Sequence, residues 1–148
     1  MPAPSPGSLR ARALKALGRR EHSRDELEAK LRPFAESPDD LGPLLDDLEK
    51  RGWLSEARFV EHVTTVRRRR FGAARILREL RDKGVSESAL AALQPQLKNS
   101  EIEAARTVWQ KKFGKLPATL AERAKQSRFL ASRGFSAEIV HQVLRNDE

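Results

Sequence analysis

Four consecutive arginines, Arg67-Arg68-Arg69-Arg70, form the densest concentration of one functional group in the chain. A guanidinium offers a rigid fork of donors that matches carboxylate and phosphate oxygens, so the chemistry on offer is anion binding. Cations near a helix C-terminus each gain roughly 0.3–1 kcal/mol from the dipole, which accounts for one or two arginines and not four. Extending the apolar stripe Phe59, Val63, Val66 by helical spacing puts Arg67 and Arg70 beside the buried face, in a groove between helices. The same spacing points Arg68 and Arg69 to solvent. Arg75, Arg78 and Arg81 continue the patch at three-residue spacing, with Lys83 beyond them. A second basic cluster, Lys111, Lys112 and Lys115, surrounds Phe113-Gly114.

Nothing comparable exists for catalysis. His22, His62 and His141 stand apart with no metal-ligand spacing, and there is no cysteine to supply a thiolate. Arg70-Phe71-Gly72-Ala73 has one glycine and no GK[ST], so it is not a phosphate loop. The pairs Asp39/Asp40 and Asp46/Asp47 read as helix N-terminal charge and solvated face. Trp53 and Trp109 read as core anchors. No nucleophile–base pair or ligand set remains from which to build a reaction. The expectation is a binding protein, not an enzyme, with no metal and no cofactor.

The elements that must position these cations are helices. Ala, Leu, Arg, Glu and Lys dominate the 148 residues, charged residues make up 34%, and tyrosine is absent. The net charge of +8 is uneven. Residues 1–54 balance at 10 basic and 10 acidic side chains, residues 55–97 hold 9 against 5, and residues 98–148 hold 10 against 6. Attraction for polyanions therefore belongs to the last two thirds. Residues 1–7, rich in proline, read as a disordered lead-in with no secretory signal. No apolar run is long enough to span a bilayer, and the absence of cysteine fits a reducing compartment, so the expected location is the cytoplasm.

About nine helices follow from the caps and stops. The first runs from Ser8 to Leu17 with Gly18 as its stop. Ser23-Arg24-Asp25-Glu26 is a capping box opening the second, which carries Leu27, Leu31 and Phe34. Ser37-Pro38 opens the third, Ser55 the fourth, and Phe71-Gly72 turns the chain into the fifth. Ser86 caps a sixth that stops near Pro95. Ser100-Glu101-Ile102-Glu103 reads as a second capping box for the seventh, and the eighth and ninth flank Gly134.

Aligning the glycine stops exposes a repeat. Leu48…Gly52, Leu80…Gly84 and Leu130…Gly134 each place Leu four residues before the glycine and a cation just before it. An apolar residue follows (Trp53, Val85, Phe135), then a serine cap. One helix-ending device is thus used three times, with left-handed glycine and a cation at the negative end. The spacing is too irregular for a strict solenoid. The expected organisation is three tandem three-helix units over 8–54, 55–97 (the central, basic one) and 98–148.

The central segment also resembles a known family. Gly52-Trp53-Leu54-Ser55-Glu56-Ala57-Arg58-Phe59, with Arg67, Phe71-Gly72, Arg75-Ile76, Leu80 and Lys83-Gly84-Val85, is similar to the central signature of the RecX family, bacterial regulators of the RecA recombinase. Arg19-Arg20-Glu21-His22-Ser23-Arg24 resembles the family's opening. Phe129-Leu130 with Arg133-Gly134-Phe135-Ser136 resembles its closing repeat. The likeness covers roughly residues 9–144, and Val63 stands where the family is expected to have an aromatic residue.

The resemblance implies an all-α, modular, elongated and curved protein of three-helix repeats. It would lie along the RecA–DNA filament and suppress the filament's ATPase, recombinase and coprotease activities, in DNA repair and the SOS response. The partners implied are the RecA filament and, weakly and without sequence preference, DNA; the chain is expected to act as a monomer. A different class, a helix-turn-helix DNA reader, would need base-reading residues at the start of its recognition helix, where this chain has Ser86-Glu87-Ser88 or Ser136-Ala137-Glu138. A basic adaptor for another acidic partner is the further alternative.

Overall fold

The computed structural model describes residues 7–145 and is all-α: nine α-helices, two short 3-10 turns and no strand among the described residues. Residues 1–6 of the expected lead-in lie outside the described residues. Among the described residues, no helix is long and apolar enough to cross a membrane. The chain divides into two compact units, one running to His62 with Lys83–Val85 added, the other comprising Val63–Asp82 and the chain from Ser86 onward.

The first unit holds α1 (Leu9–Arg19), α2 (Arg24–Leu31), α3 (Leu41–Lys50) and the first part of α4 (Glu56–Arg67). Its core is Ala13, Ala16, Leu27, Leu31, Leu41, Leu45, Leu48 and Leu54, and each fully buried leucine contributes about 1.5–3 kcal/mol. The capping box expected at Ser23 is present, with Glu26 N–H donating to Ser23 Oγ at 3.1 Å and Ser23 N–H donating to Glu26 Oε1 at 3.0 Å. Glu26 also accepts from Arg20 at 3.0 Å and from Lys83 Nζ at 2.9 Å. Burial alone would raise its pKa, but these donors hold it down at about 2.

The second unit holds the end of α4, α5 (Ala73–Asp82), α6 (Glu87–Asn99), α7 (Glu101–Lys112), α8 (Leu120–Ser132) and α9 (Ala137–Leu144). Helix α5 packs on α6, and α7, α8 and α9 pack on one another. Ala105, Val108, Leu130, Phe135, Val140, Val143 and Leu144 make their common core. The glycine device appears as read. Gly52, Gly84 and Gly134 all have positive φ. At Gly52 the N–H of Trp53 donates to Leu48 O and that of Gly52 to Glu49 O. At Gly134 the N–H of Phe135 donates to Leu130 O and that of Gly134 to Ala131 O. Both are the paired bonds of a Schellman stop.

Several local expectations are corrected. Helix α1 continues through Gly18 to Arg19, and extended backbone at Arg20 ends it instead. Helix α6 does not stop near Pro95 but runs on to Asn99. Buried Leu93 and Leu97 on either side of the proline offset the lost hydrogen bond. Ser100 forms no capping box, because its hydroxyl donates back to Gln96 O at 3.2 Å while its backbone stays near-helical. Trp53 is 43% exposed, since Leu54 takes the buried place and Arg51 lies over the indole at 5.4 Å. Phe34 is likewise exposed on a 3-10 turn beneath the Arg12 guanidinium, and Val66 is 47% exposed. Trp109 keeps its place against the core, its Nε1–H donating to Gln126 Oε1 at 2.8 Å.

Candidate anion-binding groove

Helix α4 ends at Arg67, and Arg68–Arg70 form the turn that follows, closed by Arg70 N–H and Phe71 N–H donating to Arg67 O. The turn leads into Gly72, whose N–H donates to Arg133 O at 2.7 Å. Here two loops meet backbone to backbone. A Cβ at Gly72 would lie 2.5 Å from Gly134 O, and one at Gly134 would lie 2.5 Å from Arg75 Cβ. Only residues without side chains permit this approach. It brings the end of α4 beside the end of α8.

Between them lies a groove of about 590 Å³. Its apolar lining is Val66, Phe71, Val108 and Phe129; its charged lining is Arg67, Arg69, Arg70, Lys111, Lys112 and Arg133. No carboxylate among the described residues lines it. Arg67 is partly neutralised by Glu79, Nε to Oε1 at 2.8 Å. Arg69, Arg70 and Lys111 form no ion pair among the described residues, and all three are exposed. Arg133 sits over Phe129 at 4.8 Å and over Phe71 at 5.4 Å, and Lys112 lies 5.4 Å from the Phe129 ring centre. Aromatic faces thus hold these two cations in place without removing their charge.

The groove therefore joins the two clusters that the sequence shows separately. It also adds Arg133, which sequence reading treats only as a helix-ending cation. The adjacent Phe129 and Phe71 were the one available signal, as rings on which a guanidinium can rest. Other expected site residues lie elsewhere. Arg68 does not point to solvent: its Nη2 donates to Leu97 O and, at 3.0 Å, to Ser100 Oγ. Its Nε and Nη1 are buried without partners, and burial lowers its pKa despite attraction from Glu101. Helical spacing misplaces Arg68 because the helix has already ended at Arg67.

Arg75 is exposed but engaged, stacking on Phe71 at 4.1 Å and donating to Ser132 O at 3.1 Å. Arg81 pairs with Glu87 at 3.2 Å. Arg78 is exposed on α5 and does not line the groove. Lys83 belongs to the first unit, paired with Glu26, and Lys115 stays outside the groove. What the groove can do chemically is hold carboxylates or phosphates against an apolar floor.

Comparison with known proteins places this architecture. Residues 99–144 match the family model described as RecX, third three-helix domain. The chain is 49% identical over 140 residues to the Regulatory protein RecX of Ralstonia nicotianae, covering 95% of the chain and 88% of that relative. It is 50% identical over 138 residues to that of Leptothrix cholodnii, covering 93% and 88%. The crystal structure of RecX from Lactobacillus salivarius superposes with a TM-score of 0.75 at 19% identity, covering 92% of each chain, a likeness of fold. With relatives this close over nearly the whole length, the chain belongs to the RecX family of regulatory proteins.

Proposed function

We propose that the chain inhibits the RecA recombinase by binding along the RecA–DNA filament, suppressing its ATPase, recombinase and coprotease activities, and that the groove of the second unit is a principal contact. The observation that carries this reading is the convergence of Arg69, Arg70 and Lys111 on one groove, with neither an ion pair to these three nor a lining carboxylate among the described residues. A RecA–DNA filament is a polyanion, and electrostatic attraction speeds encounter with one. Family membership supplies the regulatory role. In this reading the chain performs no reaction of its own and acts in the cytoplasm, where such filaments form. Contact with DNA is a secondary, sequence-independent attraction.

The test is DNA-dependent ATP hydrolysis by RecA in the presence of the purified chain. The wild-type chain lowers the rate. The triple variant Arg69→Ala, Arg70→Ala, Lys111→Ala loses most of that inhibition while keeping its helical circular-dichroism spectrum. Wild-type inhibition by the triple variant would remove the groove from the mechanism. No inhibition by the wild-type chain would remove RecA as its target.

A further inference from the structure

We infer that the groove's ligand is an acidic peptide segment carrying an apolar side chain between its carboxylates, and not a nucleic-acid strand. The inference deepens the function proposed above by naming what the same groove takes, and it rests on that groove being the regulator's contact surface.

The aromatic rings of the groove disfavour a nucleic-acid strand. A single strand binds by stacking bases on open aromatic faces while cations follow its phosphates. In this groove the rings are already in use. Phe71 has Arg75 over it at 4.1 Å and Arg133 at 5.4 Å. Phe129 has Arg133 at 4.8 Å, Lys112 at 5.4 Å and the Phe113 ring perpendicular to it, with centroids 5.4 Å apart. A base would have to displace cations that its own phosphates need.

The apolar floor favours a peptide. Val66 is 47% exposed at the groove, beside Val108 and the Phe129 side chain. A phosphodiester backbone has nothing apolar to place there, whereas a leucine or similar side chain removes that surface from water. In an extended peptide, side chains alternate between two directions, so acidic and apolar residues in alternation can meet rim and floor together. The rim supplies matching donors, since Arg69, Arg70 and Arg133 offer forks that carboxylates accept in pairs.

The experiment titrates the full chain against a fluorescein-labelled peptide of alternating glutamate and leucine, read by anisotropy near physiological ionic strength. Oligoglutamate and oligothymidylate of equal charge serve as competitors. The alternating peptide should bind about tenfold tighter than either, a difference of about 1.4 kcal/mol that burial of one leucine side chain can supply. Val66→Ser should erase most of that advantage, and Arg70→Gln with Lys111→Gln should weaken the peptide by about tenfold. These side chains are exposed, so folding is not at stake.

Equal affinity for oligoglutamate would make the groove an unselective anion surface and overturn the inference. Equal or tighter binding of oligothymidylate would make it a nucleic-acid site and do the same. Running the RecA ATPase assay on the same variants separates the two readings. Lost inhibition without peptide selectivity overturns the ligand class alone. Peptide selectivity with intact inhibition supports the ligand class and overturns the groove's part in regulation.

Discussion

Arg68 shows how one side chain in a run of identical ones acquires a separate task. Its guanidinium reaches the last turn of α6 and donates to Leu97 O and Ser100 Oγ, supplying the end of that helix with a positive charge. Hydrogen bonds from a charged donor are worth about 1.5–3 kcal/mol, and two of its nitrogens are buried unpaired, which subtracts from that gain. Arg68→Ala is therefore expected to destabilise the chain by about 1–2 kcal/mol in urea unfolding, whereas Arg69→Ala, fully on the surface, should be neutral. Glu26 gives a second residue-scale expectation. Its carboxyl is held at about 2, below its ordinary 4.5, and burial keeps His22 below its ordinary 6.5. In both cases the unfolded chain binds more protons than the folded one. Stability is therefore full above about pH 6.5, declines as His22's unfolded-state charging sets in, and falls further between about 4.5 and 2 as Glu26 loses its charge. Glu26→Gln should flatten the lower limb of a stability–pH curve and, because the Glu26 charge raises His22's pKa, slightly steepen the upper limb. The arginine run was plain in the sequence, but the inward course of Arg68 was not. Direction depends on where α4 ends, and that is decided by a turn which the glycine at 72 and a distant loop make together.

At the scale of elements, the helix-ending glycines separate two costs that sequence alone cannot distinguish. Gly52 and Gly134 both have a left-handed backbone, with φ of 76° and 92°. A side chain in that conformation costs roughly 1–2 kcal/mol. At Gly52 an added Cβ meets nothing within 4 Å, while at Gly134 it meets Arg75 backbone nitrogen at 2.8 Å. Gly52→Ala should accordingly cost about 1–2 kcal/mol, and Gly134→Ala clearly more, because overpacking adds about 1–3 kcal/mol. Chemical denaturation of the two variants side by side measures the difference. The thrice-used stop was legible because Leu, cation, glycine and apolar residue recur in one frame, and its geometry follows from local chemistry. Pro95 and Ser100 misled for the complementary reason. Buried leucines carry α6 through the proline, and Arg68 occupies the serine hydroxyl that would otherwise cap α7, so packing overrode local preference at both.

For the molecule as a whole, the +8 charge and its bias away from the first 54 residues could be counted directly. Their assembly could not, since Arg133 and Lys111 join Arg70 only through tertiary packing. If the groove carries the interaction, inhibition of RecA should weaken as salt rises from about 50 to 200 mM, as surface charges become screened. Arg70→Ala should make that dependence shallower, and rate measurements across a salt series would show it; a slope unchanged by the substitution would place the interaction elsewhere. The meeting of Gly72 with Gly134 has a consequence for how such a surface can diversify. Main chain abuts main chain there, so the span from one lip to the other owes nothing to the length of any residue along the lips. Lip residues can be exchanged one at a time, altering which ligand is admitted while the frame keeps its dimensions. Evolution, or a protein engineer, can thus re-letter the inscription without recutting the stone, provided neither glycine acquires even a methyl group.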